Sequence, residues 1–150
     1  MTVGGPEATT SSIRLLAPSH GPLTVNRYML ANRHKTGDNT ASPRALAAFH
    51  LRAASGTLPG LDKTSSETLE GILKARETAA GTIFAKGGAL TTHPVVSVRT
   101  GWVERGDERL IYAVMARQDR DKAIEPRKQL VVLKAQTLSI FRAYVPPRSP

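Results

Sequence analysis

GTIFAKGGALTTHPVVSVRTGWVERGDERLIYAVMAR, residues 81–117, is the stretch that decides the fold. Its pattern predicts three short strands. Thr82–Lys86 is the first, closed by Gly87-Gly88. Val95–Glu104 is the second, dominated by β-branched and aromatic residues, and Arg109–Arg117 is the third. Arg105-Gly106-Asp107-Glu108 is a glycine-containing turn that joins the last two as a hairpin. In the third strand Leu110, Tyr112 and Val114 point one way and Ile111, Ala113 and Met115 the other. A strand apolar on both faces wants cover on both, so helices should flank this sheet. At the end of the first strand Lys86 is followed by two glycines. A cation beside backbone that carries no side chains is a ready site for an anion or a carboxylate.

Downstream, Gln118–Glu125 is a charged connection, and Pro126 opens a predicted helix to about Tyr144. Leu130, Leu133, Thr137, Leu138, Phe141 and Tyr144 keep its helical period, and Pro146-Pro147 ends it. Upstream, Glu7–Ala17 and Pro22 to about Asn32 are candidate helices. Ser42 is placed to cap a helix that starts at Pro43, runs to Ser55 and is closed by Gly56. Pro59-Gly60 marks a turn, and Ser65 or Ser66 caps a further helix through Glu77, with Lys74 four residues after Glu70. The expectation is one α+β domain. Residues 1–80 form its helical part, 81–145 its three-stranded antiparallel sheet and last helix, and 146–150 a frayed tail.

Composition narrows the function. At 150 residues the chain can bury a core of its own. It has no cysteine, which excludes disulfides and thiolate metal sites, and His20, His34, His50 and His93 show no metal-ligand spacing. No metal and no cofactor is expected. No apolar run approaches a membrane span and no signal region opens the chain, so the expectation is a cytoplasmic chain with no membrane segment. The net charge is +9. The positives are mostly arginines spread along the whole chain, and the few aromatics show no stacking pattern with basic neighbours. Solvated basic surface accounts for them better than specific nucleic-acid binding.

The order of these pieces resembles the penicillin-recognising serine enzymes, in particular the class A β-lactamase-like branch. MTVGGPEAT (residues 1–9) is similar to that family's M-x-V-S-D-N-x-A-T. NTASPRALAAF (39–49) is similar to its D-T-T-T-P-R-x-L-A segment. FAKGGAL (84–90), with TGWVE (100–104) and LIYAVMA (110–116), resembles its K-T-G strand and two partner strands. The resemblance covers most of residues 1–145, in the right order, and implies a β-lactamase or D,D-peptidase-like fold acting on β-lactams or D-Ala-D-Ala peptides. It also implies that Lys86 neutralises a substrate carboxylate and that Gly88 lets the substrate lie flat. The Ala89 N–H would be half of an oxyanion hole, and Gly87 stands where the family has threonine.

The departures are as informative. No S-x-x-K is present, and by the resemblance that nucleophile helix would precede residue 1. Gly4-Gly5-Pro6 stands in place of S-D-N, and no acidic residue lies between Glu7 and Asp38 to serve as deacylating base. The literal Lys35-Thr36-Gly37 follows a helix and leads into a loop, so it is not assigned to the site. The expectation is the C-terminal portion of the fold, without the N-terminal helix and two strands, and inactive as written. Family members are usually extracytoplasmic. Three readings stand: a decayed hydrolase; a binding module that pairs through its open sheet edge with another copy or with a complementing chain; and a basic protein that takes up polyanions by charge. If the site were completed, its ligand would be a β-lactam or a peptidoglycan-like peptide.

Overall fold

The computed structural model describes residues 7–11, 23–26, 37–92, 94–119 and 121–145. Residues 7–11 are helical. Then come β1 (Leu23–Thr24), β2 (Thr40–Ala41), α1 (Pro43–Ala54), α2 (Lys63–Leu73), β3 (Lys74–Thr78), β4 (Gly81–Leu90), β5 (Val95–Arg105), β6 (Glu108–Gln118) and α3 (Pro126–Tyr144). The remainder of the two N-terminal helices read from the sequence, Gly4-Gly5-Pro6, Lys35-Thr36 and the tail lie outside the described residues.

The sheet is antiparallel, in the order β3-β4-β5-β6, so it has four strands where three were expected. The additional one is Lys74–Thr78, read from sequence as the end of a helix. Ala, Arg and Glu favour a helix there, but tertiary pairing overrides propensity. Thr78 lies opposite Gly81 and Arg76 opposite Ile83. The Thr78 hydroxyl donates to the Gly81 carbonyl at 3.0 Å and accepts from the Ala80 N–H at 3.1 Å, which clamps the turn. Lys74 accordingly pairs with Glu77 at 3.0 Å, not with Glu70. The cap of α2 is Asp62, three or four residues ahead of the expected Ser65 or Ser66, and its carboxylate accepts from the Ser65 N–H at 2.7 Å. Leu23–Thr24, expected within a helix, pairs with Thr40–Ala41.

Three other readings match. Ser42 caps α1 and accepts from Ala45 N–H at 3.1 Å, with Pro43 opening the helix. Gly106 takes φ 63° in the hairpin between β5 and β6. Helix α3 runs over the predicted span.

Helices cover both faces of the sheet. On one side Ala53, Ala54, Leu58, Leu73, Phe84 and Trp102 form a core against α1 and α2, with Ile111 packed on it. On the other, Ile83, Val103, Tyr112, Phe141 and Val145 form a core against α3, joined by Val114. The alternation read in the third strand is therefore real: Ile111 serves one core, Tyr112 and Val114 the other. Cover is thinner on the outer side of α3, where Val131, Val132, Ile140 and Tyr144 are exposed.

His50 sits inside the first core, 3% exposed. Its ring lies edge-on to Phe49 at 5.4 Å and 5.9 Å from Trp102, and its Nδ1 has no hydrogen-bond partner. Burial pushes its pKa down from 6.5 to about 4. The unfolded chain takes up a proton below pH 6.5 that the folded chain refuses until about pH 4. The contribution is fully present above pH 6.5 and is lost as pH falls through that window. About 2–3 kcal/mol of stability should go between pH 7 and pH 4, allowing for partial solvent screening. Urea midpoints at the two pH values check this. A His50→Phe chain should show a distinctly flatter profile, and an equally steep one would refute the assignment.

Candidate functional site

Lys86, Gly87, Gly88 and Ala89 lie inside β4, not beyond its end. The strand passes straight through both glycines, which stay in the ladder opposite Arg99 and Val98. Sequence reasoning closed the strand there because Gly-Gly usually marks a turn. Here neither glycine takes positive φ among those that do. A Cβ at Gly87 would meet only the Val98 carbonyl oxygen at 3.7 Å, and one at Gly88 would meet nothing within 4 Å. The glycines are not demanded by crowding. They leave a stretch of strand surface bare.

Pairing explains why this stretch is accessible. The β3 ladder stops at Lys74 opposite Phe84. From Ala85 to Leu90, β4 is bonded on one side only among the described residues, to β5. The other side is an open edge that can bond an extended ligand. Lys86 is exposed at the head of this edge and shares a sheet face with Thr100, its cross-strand partner, on the side of α1. Its Nζ donates to the Gly87 carbonyl at 3.0 Å, so the ammonium lies back along the strand.

Two cavities meet at Gly88 and Ala89. One, of about 610 Å³, lies toward α3 and includes Lys86 in its wall, so that lysine borders a cleft rather than bare solvent. The other, of about 560 Å³, lies between the β1–β2 pair and the ends of β4, β5 and β6; Thr24, Asp38, Val96, Val98 and Arg117 line it. Side-chain bonds fasten its polar wall. The Asn26 N–H donates to Asn39 Oδ1 at 2.9 Å and the Asn26 amide to the Asp38 carbonyl at 2.6 Å. The Thr10 hydroxyl donates to the Val25 carbonyl at 2.8 Å and accepts from the Val25 N–H at 2.9 Å. The sequence places the segment that holds Asp38 and Asn39 only as the loop into which Lys35-Thr36-Gly37 leads. Neighbouring Asp and Asn on it were a signal of local bonding, but nothing in the sequence placed them beside β4.

The arrangement of the described residues suits binding. A cation, a bare strand edge and a cavity with one polar and one apolar wall can hold an acyl compound that bears a carboxylate. Acyl transfer needs a nucleophile with a base in reach. Among the described residues, Ser97 is buried on the α3 side with its hydroxyl 3.2 Å from that of Thr137. His50 is enclosed by aromatic rings.

No family model and no curated protein matches the chain. Solved structures do. The chain is similar to BPu1 β-lactamase, with 16% identity and a TM-score of 0.58 over 92% of this chain and 52% of that one. It is similar to the class D β-lactamase YbXI from Nostoc, at 14% identity and TM-score 0.58 over 90% and 55% of the two chains. A class D β-lactamase from Sebaldella termitidis is 13% identical, with TM-score 0.58 over 74% and 44%. At such identities the likeness is one of fold. The chain has the β-lactamase-like architecture expected from its motifs, an antiparallel sheet with a C-terminal helix across it, and it spans about half the length of the structures it matches.

Proposed function

We propose that this chain recognises a carboxylate-bearing acyl compound, a β-lactam or a D-Ala-D-Ala-like peptide, along the open edge of β4, and performs no acyl transfer by itself. The observation that carries the reading is the placement of Lys86-Gly87-Gly88-Ala89 on a half-paired strand at the meeting of two cavities. Lys86 would hold the ligand carboxylate, the glycines would let the ligand lie against the backbone, and strand hydrogen bonds would align it. Hydrolysis would draw its nucleophile from outside the described residues, for instance from a complementing chain. The exposed apolar side of α3 supports such an assembly, with another copy of the chain as the alternative partner.

Incubation with a chromogenic β-lactam should give no hydrolysis above buffer, and mass spectrometry should find no acyl adduct on the chain. Saturation-transfer NMR should nonetheless detect reversible binding, weakened roughly tenfold or more in Lys86→Gln, as loss of a charge-assisted hydrogen bond implies. Gly87→Thr, which has room for its Cβ, should fold normally and bind more tightly through its added hydroxyl. A covalent adduct on any serine would overturn the reading, as would binding indifferent to Lys86.

A further inference from the structure

Helix α3 packs chiefly on β5 and β6 and meets β4 at the buried Ile83, while Gly87 to Ala89 of β4 and Lys74 to Glu77 of β3 stay exposed. The register fixes which side chains the sheet presents on the α3 side. Arg76 is paired with Ile83, Ala85 with Gly101, and Gly87 with Arg99. Two arginines therefore stand on one sheet face, with only Ile83, Ala85 and Gly87 on the β4 floor between them. Lys134 of α3 closes the third side of the 610 Å³ cleft, and Lys86 stands at its lip. No aspartate or glutamate lines it. Among the described residues Arg76, Arg99 and Lys134 pair with no carboxylate. Arg99 is held in place with its guanidinium 5.5 Å from the centre of the Phe141 ring.

The buried Tyr112 phenol lies on the same side of the sheet as both arginines. The Tyr112 hydroxyl is buried without a hydrogen-bond partner. Burial raises its pKa, while the charges of Arg99 and then Arg76 oppose that rise. The register puts Arg76 and Arg99 on the sheet face that holds this phenol. Like charges gathered in a concavity repel, and a multivalent anion relieves that repulsion while using both guanidinium forks.

We infer that the cleft between α3 and the β3–β4 face binds a compact phosphorylated small molecule, with phosphoryl groups on Arg76, Arg99 and Lys134 and an apolar portion over Ala85 and Leu138. The volume lies within the range of small-molecule sites, about 300–1,000 Å³. Planar forks suit phosphate oxygens, and three or four cations exceed what a single carboxylate needs. The site goes beyond the use proposed for Lys86, because its principal cations project from the opposite face of the sheet or from α3.

Isothermal titration with inorganic pyrophosphate tests it. The expected result is one site per chain, weakened at least about tenfold in Arg76→Gln and in Arg99→Gln. Arg99 also packs on Phe141, so Arg76→Gln, on an exposed edge strand, is the variant whose fold is not at stake. The control is Arg127→Gln with Lys128→Gln, the same kind of charge removed from the exposed start of α3; it should leave affinity within roughly twofold. An equal loss in the control would mean binding by net charge alone and would overturn the site, as would absence of one-to-one binding. Succinate binding as tightly as pyrophosphate would overturn the phosphate assignment.

Discussion

Gly101→Ala is expected to unfold the chain or to cost at least about 4 kcal/mol, a large part of a typical domain's 5–15 kcal/mol. Gly101 has φ 150°, and a Cβ built on it would lie 1.9 Å from the Phe84 carbonyl oxygen, 2.9 Å from the Phe84 carbonyl carbon and 3.0 Å from the Ala85 Cα. All three are backbone atoms, so no rotamer change can relieve the contact. The β4–β5 ladder would have to open at the Ala85–Gly101 pair, immediately beside Phe84 and Trp102. Far-UV circular dichroism with urea titration measures the effect. Gly88→Ala on the same ladder should stay within about 0.5 kcal/mol, because its Cβ meets nothing within 4 Å. If the two variants behaved alike, the register of β4 on β5 would be wrong.

Trp102→Ala should cost about 3–5 kcal/mol. The indole is 0% exposed and stacks on Phe84 at 4.7 Å with an interplanar angle of 8°. Its Nε1 donates to Glu104 at 3.4 Å, and Glu104 is bridged in turn to Arg109 at 2.9 Å. Removing the ring leaves Phe84 and His50 facing a void, and close-packed surroundings collapse only partly into such a space. As this is the only tryptophan, the transition must be followed by circular dichroism rather than fluorescence. Val132→Ala, at a side chain 53% exposed, should change stability by less than about 0.5 kcal/mol. A loss below 1 kcal/mol at Trp102 would show that the first core is not organised on the indole.

What could be read from the sequence, and what could not, follows from range. The hairpin of β5 and β6 was legible because alternation and Gly106 act within a few residues. So was α3, whose apolar period runs unbroken from Pro126. The end of α2 was not. Lys74–Thr78 has helix-forming residues, and only its pairing with a strand further along makes it extended. Lys86–Ala89 could be picked out because cation and glycines are adjacent in the chain. Arg76, Arg99 and Lys134 could not, since three separate elements bring them together.

Trp102 and Val103 are consecutive residues, yet each is the fully buried centre of a different core. Phe84 and Ile83 divide in the same way one strand over. The two cores are thus the two sides of one sheet of peptide bonds, and neither can melt while the other keeps its backbone. Under that arrangement the sheet and its helices behave as one cooperative unit. Free energy gained at a ligand on either face is then shared by the whole unit, so occupancy of the α3-side cleft would raise the stability of the aromatic core around Trp102 without touching it.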